Sequence, residues 1–221
     1  MSVDLLAHTR WLTHLTSPIV VGIAGGSGSG KTSVARALLG SLGEQADLVQ
    51  HDWYYHDLTH LSRDARDAYN YDHPGALETA LMVQHLDRLR SGETVSRPGY
   101  DFSCQARTVD AAQILPRPVL VVEGIMVLQD AALRARMDLK VFVDTAEPDR
   151  LSRRIHRDTR ERGTTETQTR RMFSEHVKPM HDEHVEPSRT HADLVIPNGY
   201  NPATVAILIA ALKALAAPQP R

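Results

Sequence analysis

Apolar and polar residues alternate along the chain in two patterns. Five short runs are rich in apolar residues, as is typical of strands buried in a parallel sheet. These runs are 19–24, 47–50, 118–122, 139–144 and 192–197. The stretches between and after them have helical spacing or helical polar character. The predicted helices are 33–39, 76–90, 148–163, 164–185 and 202–216. The alternation predicts an α/β fold with a parallel central sheet.

Four segments modify this pattern. A short amphipathic helix is predicted within residues 1–17, and the tail 217–221 is predicted to fray. A β-hairpin over 95–109 is predicted to be inserted between the sheet strands. Pro179 is expected to kink or break the helix in which it lies, because proline cannot donate the helical hydrogen bond.

Length and composition favour a single domain that carries an inserted hairpin and a lid. The 221 residues accommodate a hairpin insertion at about 93–110 and an arginine-rich lid at about 150–185. The net charge of −2 implies no bulk attraction to nucleic acid or membrane, so neither partner is expected. A single cysteine, Cys104, excludes an internal disulfide and fits a reducing compartment. No apolar run approaches the roughly 20 residues that span a bilayer, so a cytoplasmic protein is expected.

The glycine-rich stretch after the first strand fits the P-loop pattern G-x-x-x-x-G-K-[ST]. The candidate ATP-binding residues in it are Gly25, Gly26, Ser27, Gly28, Ser29, Gly30, Lys31 and Thr32. Glycines let the backbone amides surround a phosphate, and the next helix adds partial positive charge at its N-terminus. Lys31 would reach the β- and γ-phosphates, and Thr32 would offer its hydroxyl to Mg²⁺. The flanking strand and helix favour this interpretation over a chance glycine-rich turn.

Two acidic residues follow predicted strands at the edge where open α/β sheets bind ligands. Asp52 could accept the proton of an attacking hydroxyl or hold a Mg²⁺-bound water, or it could cap a turn. Glu123 could hold Mg²⁺ directly or through water, or it could be a buried acid paired with a cation. The rings of Trp53, Tyr54 and Tyr55 favour a flat ligand beside Asp52.

Further candidate ligand contacts come from the middle of the chain. Asp72 could cap the following helix or bind a sugar diol, since a carboxylate accepts two hydroxyl hydrogens. Tyr100, Phe102 and Gln105 lie in the predicted hairpin, where a kinase could hold its acceptor. Helical spacing places four arginines along one flank of the helix 148–163. They are Arg150, Arg153, Arg154 and Arg157. They form either a solvated charged face or a cationic lid that closes over phosphates.

Read together, ten stretches resemble the uridine kinase (uridine–cytidine kinase) family. They are 22–32, 51–55, 71–74, 123–125, 142–144, 153–158, 161–163, 177–180, 186–188 and 192–193. Their order and spacing are much more specific than the P-loop alone. The resemblance implies a three-layer P-loop kinase fold that transfers the γ-phosphate of ATP or GTP to the 5′-hydroxyl of uridine or cytidine. It also implies a homotetramer.

The resemblance also implies roles for individual residues. Asp52 resembles the catalytic base, and Thr32 and Glu123 resemble the Mg²⁺ side. Asp72 resembles the ribose ligand, and Tyr55 is grouped with it on the substrate side. The remaining matches are a base contact and the lid arginines, which would neutralise phosphoryl charge together with Lys31. These residues are Tyr100, Arg154 (also near the nucleoside), Arg157 and Arg162.

Four positions depart from the family pattern. Gln105 stands where the family has a histidine that contacts the pyrimidine, and its amide can both donate and accept. Thr164 replaces a substrate-binding arginine, and Met172 replaces a glutamine of the lid helix. Asn201 replaces an aspartate on the nucleotide side. Kinase chemistry is therefore the firmer prediction, and the acceptor the weaker one.

Three alternatives stay open at this point. The first is a kinase for another small acceptor, such as ribulose 5-phosphate, a sugar or a vitamin. The second is a nucleotide-binding regulatory NTPase that hydrolyses ATP slowly without an acceptor. The third is a catalytically silent scaffold, against which the retained Lys31, Thr32, Asp52 and Glu123 argue.

Overall fold

The computed structural model describes residues 18–108 and 112–216. The predicted N-terminal helix, Val109 at the end of the hairpin and the tail from 217 lie outside these ranges. The described strands are β1 (Ile19–Ala24), β2 (Ala46–Gln50), β3 (Val95–Ser96), β4 (Gly99–Asp101), β5 (Ala106–Thr108), β6 (Gln113–Ile114), β7 (Val119–Glu123), β8 (Leu139–Val143) and β9 (Leu194–Ile196). The described α-helices are α1 (Lys31–Leu42), α2 (Arg63–Asp67), α3 (Thr79–Arg90), α4 (Ala131–Arg134), α5 (Glu147–Glu161), α6 (Glu166–Met172), α7 (Lys178–Met180), α8 (Glu186–Ser188) and α9 (Pro202–Ala216).

The central sheet has five parallel strands in the order β2-β7-β1-β8-β9. Successive side chains of a strand point to opposite faces, so each apolar strand supplies two cores. Val20 and Phe142 pack with Leu86 of α3 on one face. On the other face, Val21 packs with residues of α1 and α9, such as Leu38. The result is the helix–sheet–helix layering and the parallel sheet that the sequence predicted.

The hairpin forms where it was predicted. β4 pairs antiparallel with β5, with Tyr100 opposite Arg107, and β3 pairs antiparallel with β6. Arg107 fixes it to the body of the domain, since its Nε donates to the Tyr55 carbonyl at 2.7 Å and its Nη2 lies 2.6 Å from Glu78 Oε2. The hairpin side chains are therefore held next to the segment that follows β2.

The arginine-rich helix and the helix after it meet at Gly163, whose φ of 67° suits glycine. Thr165 and Gln168 form a capping box at the start of α6. Two π-helical turns, Phe173–Val177 and His181–Val185, separate α6, α7 and α8. Pro179 does not break the helix: the backbone on both sides stays right-handed helical, and π-helical turns replace the regular α-helical pattern before and after α7.

Candidate active site

The glycine loop leaves β1 with three glycines at positive φ: 144° at Gly25, 81° at Gly28 and 100° at Gly30. Its outer side is braced by the elements after β8. Thr145 Oγ1 donates to the Ser29 carbonyl at 2.9 Å, and Arg153 Nη1 donates to the same oxygen at 3.1 Å. In the described parts of the chain, no side chain caps the first amides of α1, and those of Ser33 and Val34 donate to the Gly30 carbonyl. The Lys31 and Thr32 N–H groups and the positive end of the helix are therefore available to an anion.

Lys31, Thr32 and Glu123 meet directly above the sheet. β1 and β7 are adjacent, with Ile23 opposite Glu123. Thr32 Oγ1 donates to Glu123 Oε1 at 3.2 Å, and Lys31 Nζ lies 3.5 Å from the same oxygen. Burial raises the pKa of the Glu123 carboxyl, the charge of Lys31 opposes that shift, and the charge of Asp52 adds to it. A buried carboxylate with perturbed pKa beside an anion-binding loop is typical of a functional site.

Asp52 lies two residues beyond β2, whose Gln50 is opposite Glu123 in the neighbouring strand β7. Its carboxylate therefore reaches the same edge of the sheet as Glu123. It accepts no hydrogen bond from the residues that the structure describes, and Gln50 occupies the N-cap position of the turn His51–Tyr54. The turn-capping alternative for Asp52 is therefore wrong.

The charges of four side chains act on the phenol of Tyr55. Its pKa is raised chiefly by burial, and then by the charges of Asp52 and Asp72, while Arg162 and Arg154 act in the opposite direction. Arg154 Nη1 lies 4.0 Å from Asp72 Oδ1. Asp72 caps no helix, since α3 begins after Glu78 and His73 caps the preceding turn. The pocket around Tyr55 thus joins the predicted base, the predicted ribose ligand and two lid arginines.

Of the three aromatic residues after β2, Trp53, Tyr54 and Tyr55, only Tyr55 contacts the rings of the hairpin. Tyr55 packs against Tyr100 at 5.1 Å and Phe102 at 6.0 Å between ring centroids. Tyr54 is buried in the core, with its hydroxyl 2.9 Å from His85 Nδ1. The ligand interpretation is therefore wrong for Tyr54. Trp53 is partly buried against the same core, and its contact with a ligand stays a prediction.

One polar atom of the hairpin has no partner. Gln105 Oε1 is buried and accepts no hydrogen bond among the described residues, whereas the buried Tyr100 hydroxyl lies next to that of Tyr71. Gln105 also has a positive φ of 53°. Unsatisfied buried polar atoms are costly, which suggests that a ligand completes them.

The arginines of α5 divide into two groups, which helical spacing did not reveal. Arg150 and Arg153 support the glycine loop from outside: Arg150 Nε donates to the Thr145 carbonyl at 3.1 Å. Arg154 and Arg157 contact the buried Asp158, as does Arg162, and Arg154 Nη1 also donates to Ser27 Oγ of the glycine loop at 2.9 Å. The sequence singled out these three arginines but assigned no role to Asp158. Two signals were available: Asp158 lies four residues after Arg154 and directly after Arg157, and it ends the family-like stretch 153–158.

Asn201 lies at the start of α9, where its Oδ1 accepts the Thr204 N–H at 3.1 Å. The neighbouring Tyr200 approaches the glycine loop, since its backbone N lies 3.2 Å from the position that a Cβ on Gly30 would take. Asn201 therefore has a capping role, and its predicted nucleotide contact stays a prediction.

Among the described residues, no helix is long and apolar enough to cross a membrane, and no group of three or more His, Cys, Asp or Glu residues could hold a metal alone. A Mg²⁺ ion at this site would therefore need the substrate phosphates and water as further ligands. That is how the ion is usually held in kinases.

Comparison with known proteins identifies relatives of the whole domain. The sequence profile of the phosphoribulokinase/uridine kinase family matches residues 20–204. Uridine kinase from Chloroflexus aurantiacus is 43% identical over 201 residues, which cover 90% of this chain and 96% of that protein. Uridine kinase from Geobacillus kaustophilus is 42% identical, covering 89% of this chain and 94% of that protein. The phosphoribulokinase structure from Rhodobacter spheroides shares the fold with a TM-score of 0.62 at 15% identity, covering 82% of this chain and 70% of that one.

Proposed function

The chain belongs to the phosphoribulokinase/uridine kinase family, and we propose that it transfers the γ-phosphoryl group of ATP or GTP to the 5′-hydroxyl of uridine or cytidine. Its curated relatives at 42–43% identity are named uridine kinases and match about nine-tenths of the chain. The product would be UMP or CMP.

One contact carries the proposal in the structure itself. Arg154 Nη1 donates to the hydroxyl of Ser27 in the glycine loop at 2.9 Å and lies 4.0 Å from Asp72 in the aromatic pocket. A single buried guanidinium thus connects the phosphate-binding loop with the site that would hold a ribose. A kinase needs this adjacency, because the donor phosphate and the acceptor hydroxyl must meet.

Mg²⁺ fits the donor side of the site. Thr32 Oγ1 and Glu123 Oε1, 3.2 Å apart, are two oxygen donors of the kind that this ion prefers. When bound, the ion would supply positive charge to the β- and γ-phosphate oxygens. The Lys31 ammonium, now 3.5 Å from Glu123, is placed to pair with the same phosphates.

The protein residues would then divide the chemistry as follows. Asp52 would take the proton from the nucleoside 5′-hydroxyl as that oxygen bonds to the γ-phosphorus. The bond from the γ-phosphorus to the bridging oxygen breaks, and the leaving group is ADP or GDP. Lys31, Arg157 and Arg162 would neutralise the charge on the transferring group. Tyr55, Asp72, Tyr100 and Gln105 would orient the nucleoside.

The alternatives are less well supported. A ribulose 5-phosphate or other sugar kinase would have little use for the rings of Tyr55, Tyr100 and Phe102, which suit a flat base. A regulatory NTPase or silent scaffold would not need Asp52 at the carboxyl edge of the sheet.

We also propose the homotetramer that the family resemblance favours and the cytoplasmic location that composition favours. Light scattering would test the first and cell fractionation the second.

The function is tested by measuring ATP consumption with uridine, cytidine, adenosine, ribose and ribulose 5-phosphate in parallel. We expect turnover with a pyrimidine nucleoside and background rates with the sugars. Asp52→Asn should lower kcat by roughly 10²–10⁴-fold while ATP binding stays nearly unchanged. Asp64→Asn, on the exposed helix α2, is the matched control and should behave like wild type. Preference for a sugar phosphate, or full activity of Asp52→Asn, would contradict the proposal.

A further inference from the structure

One buried carboxylate, that of Asp158, contacts three guanidinium groups near the end of α5. Arg154 Nε forms an ion pair with Oδ2 at 3.2 Å without a hydrogen bond, and Arg157 Nε donates to Oδ1 at 2.8 Å. Arg162 Nε lies 3.7 Å from the same Oδ1. Asp158 is 5% exposed, so water screens these interactions weakly. Both oxygens of the carboxylate thus contact arginines. Arg154 and Arg157 lie in α5, and Arg162 directly follows its last residue.

All three arginines contact Asp158 through Nε, the nitrogen at the inner edge of the guanidinium. The terminal nitrogens stay available, because the group presents five N–H donors in a fixed fork. Arg154 Nη1 already reaches Ser27 of the glycine loop at 2.9 Å. Arg157 Nη2 is buried and has no hydrogen-bond partner among the described residues. An unpaired buried guanidinium donor, next along the helix to an arginine that contacts the glycine loop, indicates that an anion completes it.

The negative charge of Asp158 also offsets the repulsion among the three arginines. Three guanidiniums held this close repel one another, and burial adds a desolvation cost to each. The pKa of Arg162 is lowered first by burial and then by the charge of Arg157, and the charge of Asp158 raises it again. Without that negative charge, Arg157 and Arg162, each about one-third exposed, could turn toward solvent.

We propose that Asp158 is a positioning residue for phosphoryl transfer, which holds Arg154, Arg157 and Arg162 by Nε so that their terminal nitrogens face the transferring group before it binds. This rests on the proposed function and deepens it, since Asp158 itself touches neither substrate. The helix end does not depend on this side chain, because the backbone carbonyl of Asp158 accepts the N–H groups of Arg162 and Thr164.

The test compares wild type with Asp158→Asn, which keeps the shape and removes the charge. We expect kcat to fall by roughly 10–100-fold, as for other residues that orient a reactive group, while KM for the nucleoside changes less than about threefold. ATP affinity, measured by calorimetry without acceptor, should weaken several-fold. Asp87→Asn is the matched control, because Asp87 pairs with Arg136 at 2.9 Å in an exposed ion pair on α3. It should leave all three values unchanged.

A double-mutant cycle separates positioning from general structural support. If Asp158 acts through Arg157, then Asp158→Asn should cost much less in an Arg157→Ala background, so that the two effects are not additive. Full additivity, or wild-type kcat and ATP affinity in Asp158→Asn, would overturn the proposal. If Asp158→Asn does not fold, Asp158→Glu decides: a folded variant with reduced kcat supports positioning, and wild-type kcat assigns a structural role only.

A wild-type enzyme that binds ATP but phosphorylates no nucleoside would refute the proposed acceptor. The positioning role of Asp158 would still be tested by the ATP affinity of Asp158→Asn. The two proposals can therefore fail separately.

Discussion

A methyl group added at Gly28 should disable the glycine loop, whereas the same methyl at Gly40 should be harmless. Gly28 has a φ of 81°, and a Cβ there would overlap the carbonyl oxygen of Arg150 and lie 3.0 Å from its carbonyl carbon. Gly40 lies on the exposed side of α1, and a Cβ there meets nothing within 4 Å. The two glycines lie twelve positions apart in the chain and differ mainly in conformation and neighbours.

The expected sizes follow from these environments. Alanine in the left-handed region costs about 1–2 kcal/mol, and forcing the Arg150 backbone aside costs about 1–3 kcal/mol more. A total of roughly 2–5 kcal/mol corresponds to a fall in Tm of roughly 5–20 °C for a chain of this size. Alanine at Gly40 should instead raise stability by about 0.5–1 kcal/mol, because glycine is unfavourable inside a helix.

Thermal unfolding followed by circular dichroism, together with ATP binding by calorimetry, would measure both effects. We expect Gly28→Ala to lose at least about tenfold in ATP affinity, since the loop amides must move by a large fraction of an ångström. Gly40→Ala should bind ATP like wild type. A Tm for Gly28→Ala within about 1 °C of that for Gly40→Ala, with equal ATP affinities, would refute the reasoning.

Three further predictions concern acid stability, metal and acceptor. Burial lowers the pKa of His51 from 6.5 to about 4. Between these pH values the imidazole is protonated in the unfolded chain and neutral in the folded chain. Stability should fall as pH drops from about 6.5 toward 4, by up to about 1.4 kcal/mol per pH unit. His51→Gln should flatten that slope in urea titrations, and an unchanged slope would contradict the assignment. Glu123→Gln should raise the Mg²⁺ concentration for half-maximal activity by about tenfold or more; an identical Mg²⁺ titration would argue against Glu123 as a ligand. Gln105→Ala should raise the nucleoside KM by roughly tenfold through one lost hydrogen bond, with Ser103→Ala in the same hairpin as control, and equal KM values would exclude Gln105 from the pocket.

Local sequence patterns were enough to predict the parallel sheet and the glycine loop. These features are local: a strand buried on both faces is a continuous apolar run, and the loop needs its glycines and Lys31 at fixed spacing. Parallel strands bring their carboxyl ends to one edge, so Asp52 and Glu123 were both predicted at that edge. That β7 lies between β2 and β1, which makes the strands of these two acids neighbours, is known only from the order of the folded sheet.

Which of several plausible side chains lie at the site depends on how distant segments pack together. A pattern of rings could not tell that Tyr55 lines the pocket while Tyr54 enters the core. Helical spacing shows which arginines share a flank, but the flank of α5 faces the glycine loop at Arg153 and the buried Asp158 at Arg157. Periodicity describes an element relative to its own axis; what the element contacts depends on packing between segments far apart in the chain, which no local pattern contains.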